Sequence, residues 1–155
     1  MSYVPFTTAN LLTFIKTDPR SIGLATIITA HPGQDGPIVD AVNDASGPGA
    51  GSVPREPIAA NDFLAACKGS DMAALTSAAL ATLQIYTTVG TVSIGADNVQ
   101  EMINDVFADY PTTKSALNSL ATRPASPAEV YFGPGTVISI SDVDGARNSG
   151  GGNQF

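Results

Sequence analysis

Asp97-Asn98-Val99-Gln100-Glu101-Met102-Ile103-Asn104-Asp105-Val106-Phe107 is the stretch that decides the fold class. Val99, Met102, Ile103, Val106 and Phe107 fall at i, i+3, i+4, i+7 and i+8, the spacing that puts side chains on one face of an α-helix. The polar residues take the other face, and Asp97 stands where a helix N-cap belongs.

The same period continues on both sides. Downstream, Thr112 is expected to cap a helix that turns Ala116, Leu117, Leu120 and Ala121 inward. Ser126-Pro127-Ala128-Glu129 has the form of a capping box with proline at the first helical position, and this predicts a short helix to Phe132. Gly133-Pro134-Gly135 ends it. Thr136 to Ser141 reads as extended, and Ser141 is expected to cap a final turn at Asp142 to Arg147.

Upstream, Met72, Leu75, Ala79, Leu83 and Tyr86 predict a long helix over residues 71–88, capped by Ser70 or Asp71. Pro57 is expected to open a preceding helix with Phe63, Leu64 and Cys67 on its apolar side, and Gly69 sits where a C-cap glycine belongs. Thr91 to Ile94 reads as a short extended link. Near the start, Thr7 or Thr8 caps a helix carrying Leu11, Leu12 and Ile15. Pro19 ends it near Asp18, because proline disfavours the α region for the residue before it. Residues 21–30 (SIGLATIITA) fit either a short helix or a buried strand. A further helix follows Pro37, with Ile38, Val42 and Ala45 on one side. Residues 47–54 (GPGAGSVP) read as an exposed, mobile loop.

The expected fold is therefore mainly α: a compact bundle of seven to eight short helices with at most a minor strand pair. One helical domain is expected over 9–147, with an N-terminal arm at 1–8 and a flexible tail at 148–155.

Composition narrows function by class. In 155 residues, apolar types make up 43% and charged types only 14%, with a net charge of −7. Lys16, Arg20, Arg55, Lys68, Lys114, Arg123 and Arg147 are scattered, so no basic stripe is available for phosphates. The acidic balance also disfavours anionic membrane surfaces. The apolar run Ile22 to Ala30 is too short to span a bilayer, and MSYVPFTTAN lacks the features of a secretory signal. A single cysteine, Cys67, fits folding in a reducing cytoplasm.

Catalytic chemistry finds little support. His31 is the single histidine, and it lies in a Pro/Gly turn. No GxSxG elbow accompanies a serine. Cys67 sits on an apolar helical face, the setting of an inert buried thiol. Asp40/Asp44 and Asp105/Asp109 lie at i, i+4 on helices, and would serve acid–base work only in a cleft that raises one pKa. Asp142, Asp144 and Gly145 have the wrong spacing for a calcium loop. No catalytic residue, cofactor or metal is expected.

A resemblance adds to this reading. Ile15-Lys16-Thr17-Asp18-Pro19-Arg20-Ser21-Ile22-Gly23-Leu24-Ala25 resembles the N-terminal "TDP…G…A" pattern of small uncharacterised structural proteins of tailed bacteriophages, in which a helix ending near an Asn follows, here Ile38 to Asn43. Arg55-Glu56-Pro57-Ile58 resembles their mid-chain helix start. Ala121-Thr122-Arg123-Pro124-Ala125-Ser126-Pro127-Ala128-Glu129-Val130-Tyr131-Phe132-Gly133, then Gly135-Thr136-Val137 and Asp142-Val143, resembles their "SR-x-S-x-AE-x-x-FG-x-GT…DV" ending. Thr122-Arg123 replaces the family's Ser-Arg, displaced by proline, and the Gly-rich tail is extra.

The resemblance implies a phage gene product encoded near virion structural genes. Joined with the thin catalytic inventory and the compact, acidic, low-charge composition, it leads to the expectation of a virion protein made in the host bacterial cytoplasm, without enzymatic activity. A capsid decoration (cement) subunit on the assembled head is expected first. Tail or head–tail subunits and a non-virion assembly or regulatory factor are the alternatives. The expected partners are the major capsid protein or tail proteins, with a homo-oligomer in the particle and neither nucleic acid nor membrane. Tyr3, Val4, Phe6, Pro48, Val53 and Phe155 are the expected contact residues, because they place apolar groups in arms and a loop free to order on binding.

Overall fold

The computed structural model describes residues 2–155. It is mainly helical, with two small strand pairs. In chain order the elements are α1 (Thr8–Thr17), α2 (Leu24–Ala30), α3 (Gly36–Asn43), β1 (Gly51–Pro54), β2 (Ile58–Ala59), α4 (Ala60–Ala65), α5 (Gly69–Ala74), α6 (Ser77–Thr87), β3 (Thr91–Val92), α7 (Asp97–Val106), α8 (Pro111–Leu120), β4 (Thr122–Ala125), α9 (Pro127–Phe132) and α10 (Ile140–Arg147). A 3₁₀ turn, Ser149–Gly151, follows.

Contacts divide the chain into two compact units, where sequence patterning drew one domain across 9–147. Unit 1 combines the N-terminal part through Val53 with Pro124–Phe155, and unit 2 is the intervening Pro54–Arg123. The chain leaves unit 1 within β1 and returns within β4, and these two strands pair with each other.

Unit 1 has its own core: Leu11, Phe14, Ile15, Leu24, Ile38, Val42, Phe132, Ile138 and Val143 are all buried together. Burying side chains of this size contributes on the order of 1.5–3 kcal/mol each. Phe14 stacks obliquely on both Tyr131 and Phe132, with centroids 4.9 and 5.3 Å away. The turn between α1 and α2 is built by Asp18. Its backbone takes the left-handed conformation (φ 43°), and its carboxylate accepts from the N–H groups of Ile22, Gly23 and Leu24 at 2.8, 2.7 and 3.1 Å. Those donors belong to the start of α2, which helical bonding leaves unpaired. This anchoring settles the open segment in favour of helix: the β-branched residues of Leu24–Ala30 lie in α2.

Unit 2 encloses a second core of Phe63, Leu83, Val92, Ile94, Val99, Ile103, Phe107 and Leu117. The α7 pattern is as expected, with Val99, Met102 and Ile103 buried. Ala96 is the N-cap, however, and Asp97 is the first helical residue. Strands β2 and β3 are antiparallel, with Ile58 opposite Val92 and Ala59 opposite Thr91. Pairing with Val92 draws Ile58 out of the helix expected from Pro57, and α4 starts only at Ala60.

The long helix expected over 71–88 is two helices. Leu75 is extended (φ −65°, ψ 144°), and Thr76 caps α6 by accepting the Ala79 N–H at 3.2 Å. A threonine hydroxyl that satisfies a free N–H offers the chain a helix start in place of continuation. Gly69 is correspondingly the first residue of α5 and not a C-cap. Asp71 takes a long-range bond: Thr113 Oγ1, fully buried, donates to its carboxylate at 2.7 Å and accepts the Lys68 N–H at 3.0 Å.

Three further boundaries move. Tyr110 and not Thr112 precedes α8, whose first residue is Pro111. Ser139 and not Ser141 caps α10, because Asp142 returns the bond to the Ser139 N–H and completes a capping box. Ala45 lies beyond the end of α3 and is exposed.

Candidate functional site

Of the motifs that carried the phage resemblance, the N-terminal one and the part of the C-terminal one from Pro124 onward are joints of unit 1, while Arg55-Glu56-Pro57-Ile58 and Thr122-Arg123 lie in unit 2. Besides Asp18, Asn43 uses its side-chain amide as a backbone unit would, donating to Ile138 O at 2.8 Å and accepting the Ile138 N–H at 3.0 Å. Glu129 closes the capping box with Ser126 and also accepts the Gly135 N–H at 2.8 Å, tying α9 to the turn behind it. These side chains are spent on backbone groups and hold the fold.

The six expected contact residues lie in different settings. Val53 is 1% exposed within β1 and offers nothing to a partner in this fold. The loop expected over 47–54 is in fact a turn followed by that strand. Arg20 Nε donates to Gly49 O at 3.0 Å, and a Cβ at Gly49 (φ 79°) would come within 2.7 Å of the Arg20 carbonyl. Only a residue lacking a side chain fits there. Pro48, in the turn, is exposed.

The N-terminal segment packs on its own unit. The Val4 N–H donates to Tyr131 O at 3.1 Å, Tyr3 lies against Gly133, and Phe6 meets Phe132 edge-on at 5.3 Å while staying 43% exposed. The Tyr3 hydroxyl is buried without a hydrogen-bond partner among the described residues.

The expected flexible tail at 148–155 folds back in a similar way. Arg147 places its guanidinium 4.6 Å over the Phe155 ring and donates to the Phe155 carbonyl at 2.7 Å. The same group pairs with Asp35 at 2.6 Å, both side chains being largely buried. One arginine thus ties the tail to the start of α3. Composition alone could not show it, because the partner is distant in sequence.

The candidates for chemistry are scattered. His31 is exposed at the end of α2 in unit 1. Cys67, in unit 2, is buried and its thiol donates to Phe63 O at 3.5 Å. Burial, aided by the negative charge of Asp71, pushes its pKa up to about 11, which holds it as a thiol at neutral pH. Asp44 moves the opposite way from a general acid: hydrogen bonds from the Ser46 hydroxyl and N–H, and from the Gly47 N–H, lower its pKa. Asp142 and Asp144 bond to Ser139 and Asn148. No group of three or more His, Cys, Asp or Glu residues able to hold a metal occurs among the described residues. No helix among them is long and apolar enough to cross a membrane.

No family model, curated protein or solved structure was found to match the chain. Its site must be read from its own surface.

That surface carries large apolar side chains sequence reading did not single out. In unit 2, Ile85 is 73% and Val89 81% exposed; in unit 1, Val137 is 74% and Ile140 60% exposed. Ile85 and Val89 are spaced one helical turn apart at the end of α6 and just beyond it. That i, i+4 spacing, beside the buried Leu83, was a signal available in the sequence. Its meaning was hidden because Tyr86 and Leu83 already account for the inward face.

Proposed function

We propose that this chain is a structural subunit of a tailed-bacteriophage virion, and that it sits on the assembled head as a decoration subunit contacting the major capsid protein in several copies. The observation that carries the reading is the exposure of Ile85, Val89, Val137 and Ile140 on a chain with only 14% charged residues. Isolated surface apolar groups are ordinary. On a surface of small neutral side chains they are cheap to desolvate, and their neighbours have little rotamer freedom to lose on contact. The resemblance in residues 15–25 and 121–143 supports the same reading. The residues behind it brace the fold, as expected of an architectural subunit whose function is a shape.

A tail or head–tail position would use the same surface chemistry, so location is part of the test. Mass spectrometry of gradient-purified particles of the encoding phage should find the chain at stoichiometric level, and a particle reconstruction should place added density on the head. Density on the tail would replace the decoration reading by the tail reading. Abundance in infected cells with absence from particles would overturn both, leaving an assembly or regulatory factor.

A further inference from the structure

Within unit 2, α6 and α7 leave an open groove between them. One part, about 420 Å³, lies over Ala78, Ala79, Met102 and Val106. The next, about 310 Å³, is bordered by Ile85 and Val89, and Tyr86 and Asn98 line both parts. Ala78 and Ala79 keep the α6 wall low, so a third backbone has room to approach.

The two rims differ in charge. α6 contains no charged residue, carries exposed Ile85 in its last turn and leads into exposed Val89. α7 carries Asp97, Glu101 and Asp105, all exposed, and Glu101 and Asp105 line the groove. At four-residue spacing the three acids form one row with a step of about 6 Å along the axis. Neither helix holds a Lys or Arg, and none of the three acids makes an ion pair among the described residues. Like charges at i, i+4 weaken a helix, and a row of cations laid along the groove would relieve that cost.

We infer that this groove docks an amphipathic helical segment of another protein, with apolar anchors one turn apart and Lys or Arg along one edge. Apolar anchors would enter over Ala79, Tyr86 and Met102, the cationic edge would face Glu101 and Asp105, and Ile85 and Val89 would close the far end. Helix-in-groove recognition reads i, i+3, i+4, i+7 anchors in this way, and the charged row sets orientation and encounter rate. A small molecule is a poorer match, since such ligands are mostly enclosed and this groove is open along its length. A second copy is also a poor match: the chain carries −7, and its few cations are scattered, with Arg20 and Arg147 already committed within unit 1.

The inference goes beyond the particle reading and does not depend on it, because an assembly factor would present the same groove. Two synthetic helical peptides with identical leucine anchors, one Lys-edged and one Glu-edged, would be titrated into the full ¹⁵N-labelled chain. The Lys-edged peptide should shift resonances confined to residues 77–106, and raising NaCl from 0.05 to 0.5 M should weaken it about tenfold. Glu101→Gln with Asp105→Asn should weaken it at least threefold at low salt, and Ile85→Ser with Val89→Ser should weaken it at both salts. All four side chains are exposed or at the groove rim, and an unchanged Tm would verify the fold of each variant. Equal binding of the two peptides, shifts spread over unit 1, or no shift at 1 mM peptide would overturn the inference. So would dimerisation of the free chain through this face, lost on Ile85→Ser. Failure of the peptide test with the chain present in virions would remove the groove and leave the particle reading. Success with the chain absent from virions would do the reverse.

Discussion

At the scale of single residues, Asp18 has the largest structural task for its size. Its carboxylate serves three N–H groups at once while its backbone occupies the left-handed region. Asp18→Ala removes all three acceptors and places alanine at a strained φ. A loss of about 2 kcal/mol is expected, the upper end for helix caps. Asp18→Asn keeps an acceptor oxygen and tolerates that φ, so it should lose clearly less. Urea unfolding of the two variants checks the order, and equal losses would mean that the carboxylate is not the anchor. Glu56 offers a second test. The Arg123 guanidinium, at 2.9 Å, holds its pKa down to about 2. A pKa lowered on folding means that the contribution is present above the ordinary carboxylate value and is lost as pH falls toward 2. The pair is exposed and screened by salt, so the effect on stability is small. The measurement is therefore the titration itself. The Glu56 carboxyl signal should titrate near 2 in the native chain and return toward the usual range in Arg123→Ala. A midpoint unmoved by that substitution would show that Arg123 is not the cause.

At the scale of elements, helix starts matter more than helix interiors. Two caps were legible from spacing: Thr7 (with Thr8 as the alternative) on α1, which accepts the Asn10 N–H at 3.1 Å, and Ser126 with its capping box on α9, which accepts the Glu129 N–H at 3.3 Å. The cap of α10 is Ser139 and not the expected Ser141. Ser126 is also buried, at 4% exposure. Ser126→Ala should therefore cost about 1–2 kcal/mol by loss of the cap, seen as a lower urea midpoint with unchanged slope. The same change at exposed Ser141, which caps nothing, should fall within about 0.5 kcal/mol of the parent. If both behave alike, the assignment of caps is mistaken. The helix break at Leu75–Thr76 teaches the opposite lesson. The apolar stripe from Met72 to Tyr86 runs through the break without interruption, because both helices bury the same core. Periodicity reports which face is buried. It does not report whether the backbone is continuous beneath it.

At the scale of the whole molecule, the chain is one unit with a second inserted into it. The ends of the insertion are held together within unit 2 itself: the Arg55 N–H donates to Ala121 O at 2.9 Å, and Glu56 pairs with Arg123. Its core contains Phe63, Ile94, Ile103, Phe107 and Leu117, all fully buried. A fragment of residues 54–123 is therefore expected to fold alone, with a helical circular-dichroism spectrum and a cooperative melt. Its Tm should lie below that of the full chain, because so small a domain is marginal. Phe107→Ala should abolish that melt, since truncating a buried phenylalanine costs about 3–5 kcal/mol. A fragment that stays unfolded would mean that the two units form one cooperative structure.

Sequence by itself determined the helical class, the inward face of α7, the buried Leu11 and Ile15 of α1 and Leu117 of α8 though not their fully buried companions Phe14 and Thr113, the proline helix starts at Pro37 and Pro127, and the scarcity of reactive groups. These are local matters: a period, a cap or a turn is written within a few neighbouring residues. Tertiary structure alone decided the division into two units, the pairing of Ile58 with Val92, the break at Thr76, the burial of Val53 and the return of Phe155 to Arg147. Each depends on a contact partner or a packing environment that short-range pattern does not specify. The groove between α6 and α7 belongs to the same class, since the acids of α7 and the uncharged residues of α6 are written locally but their meeting across one groove came only with packing.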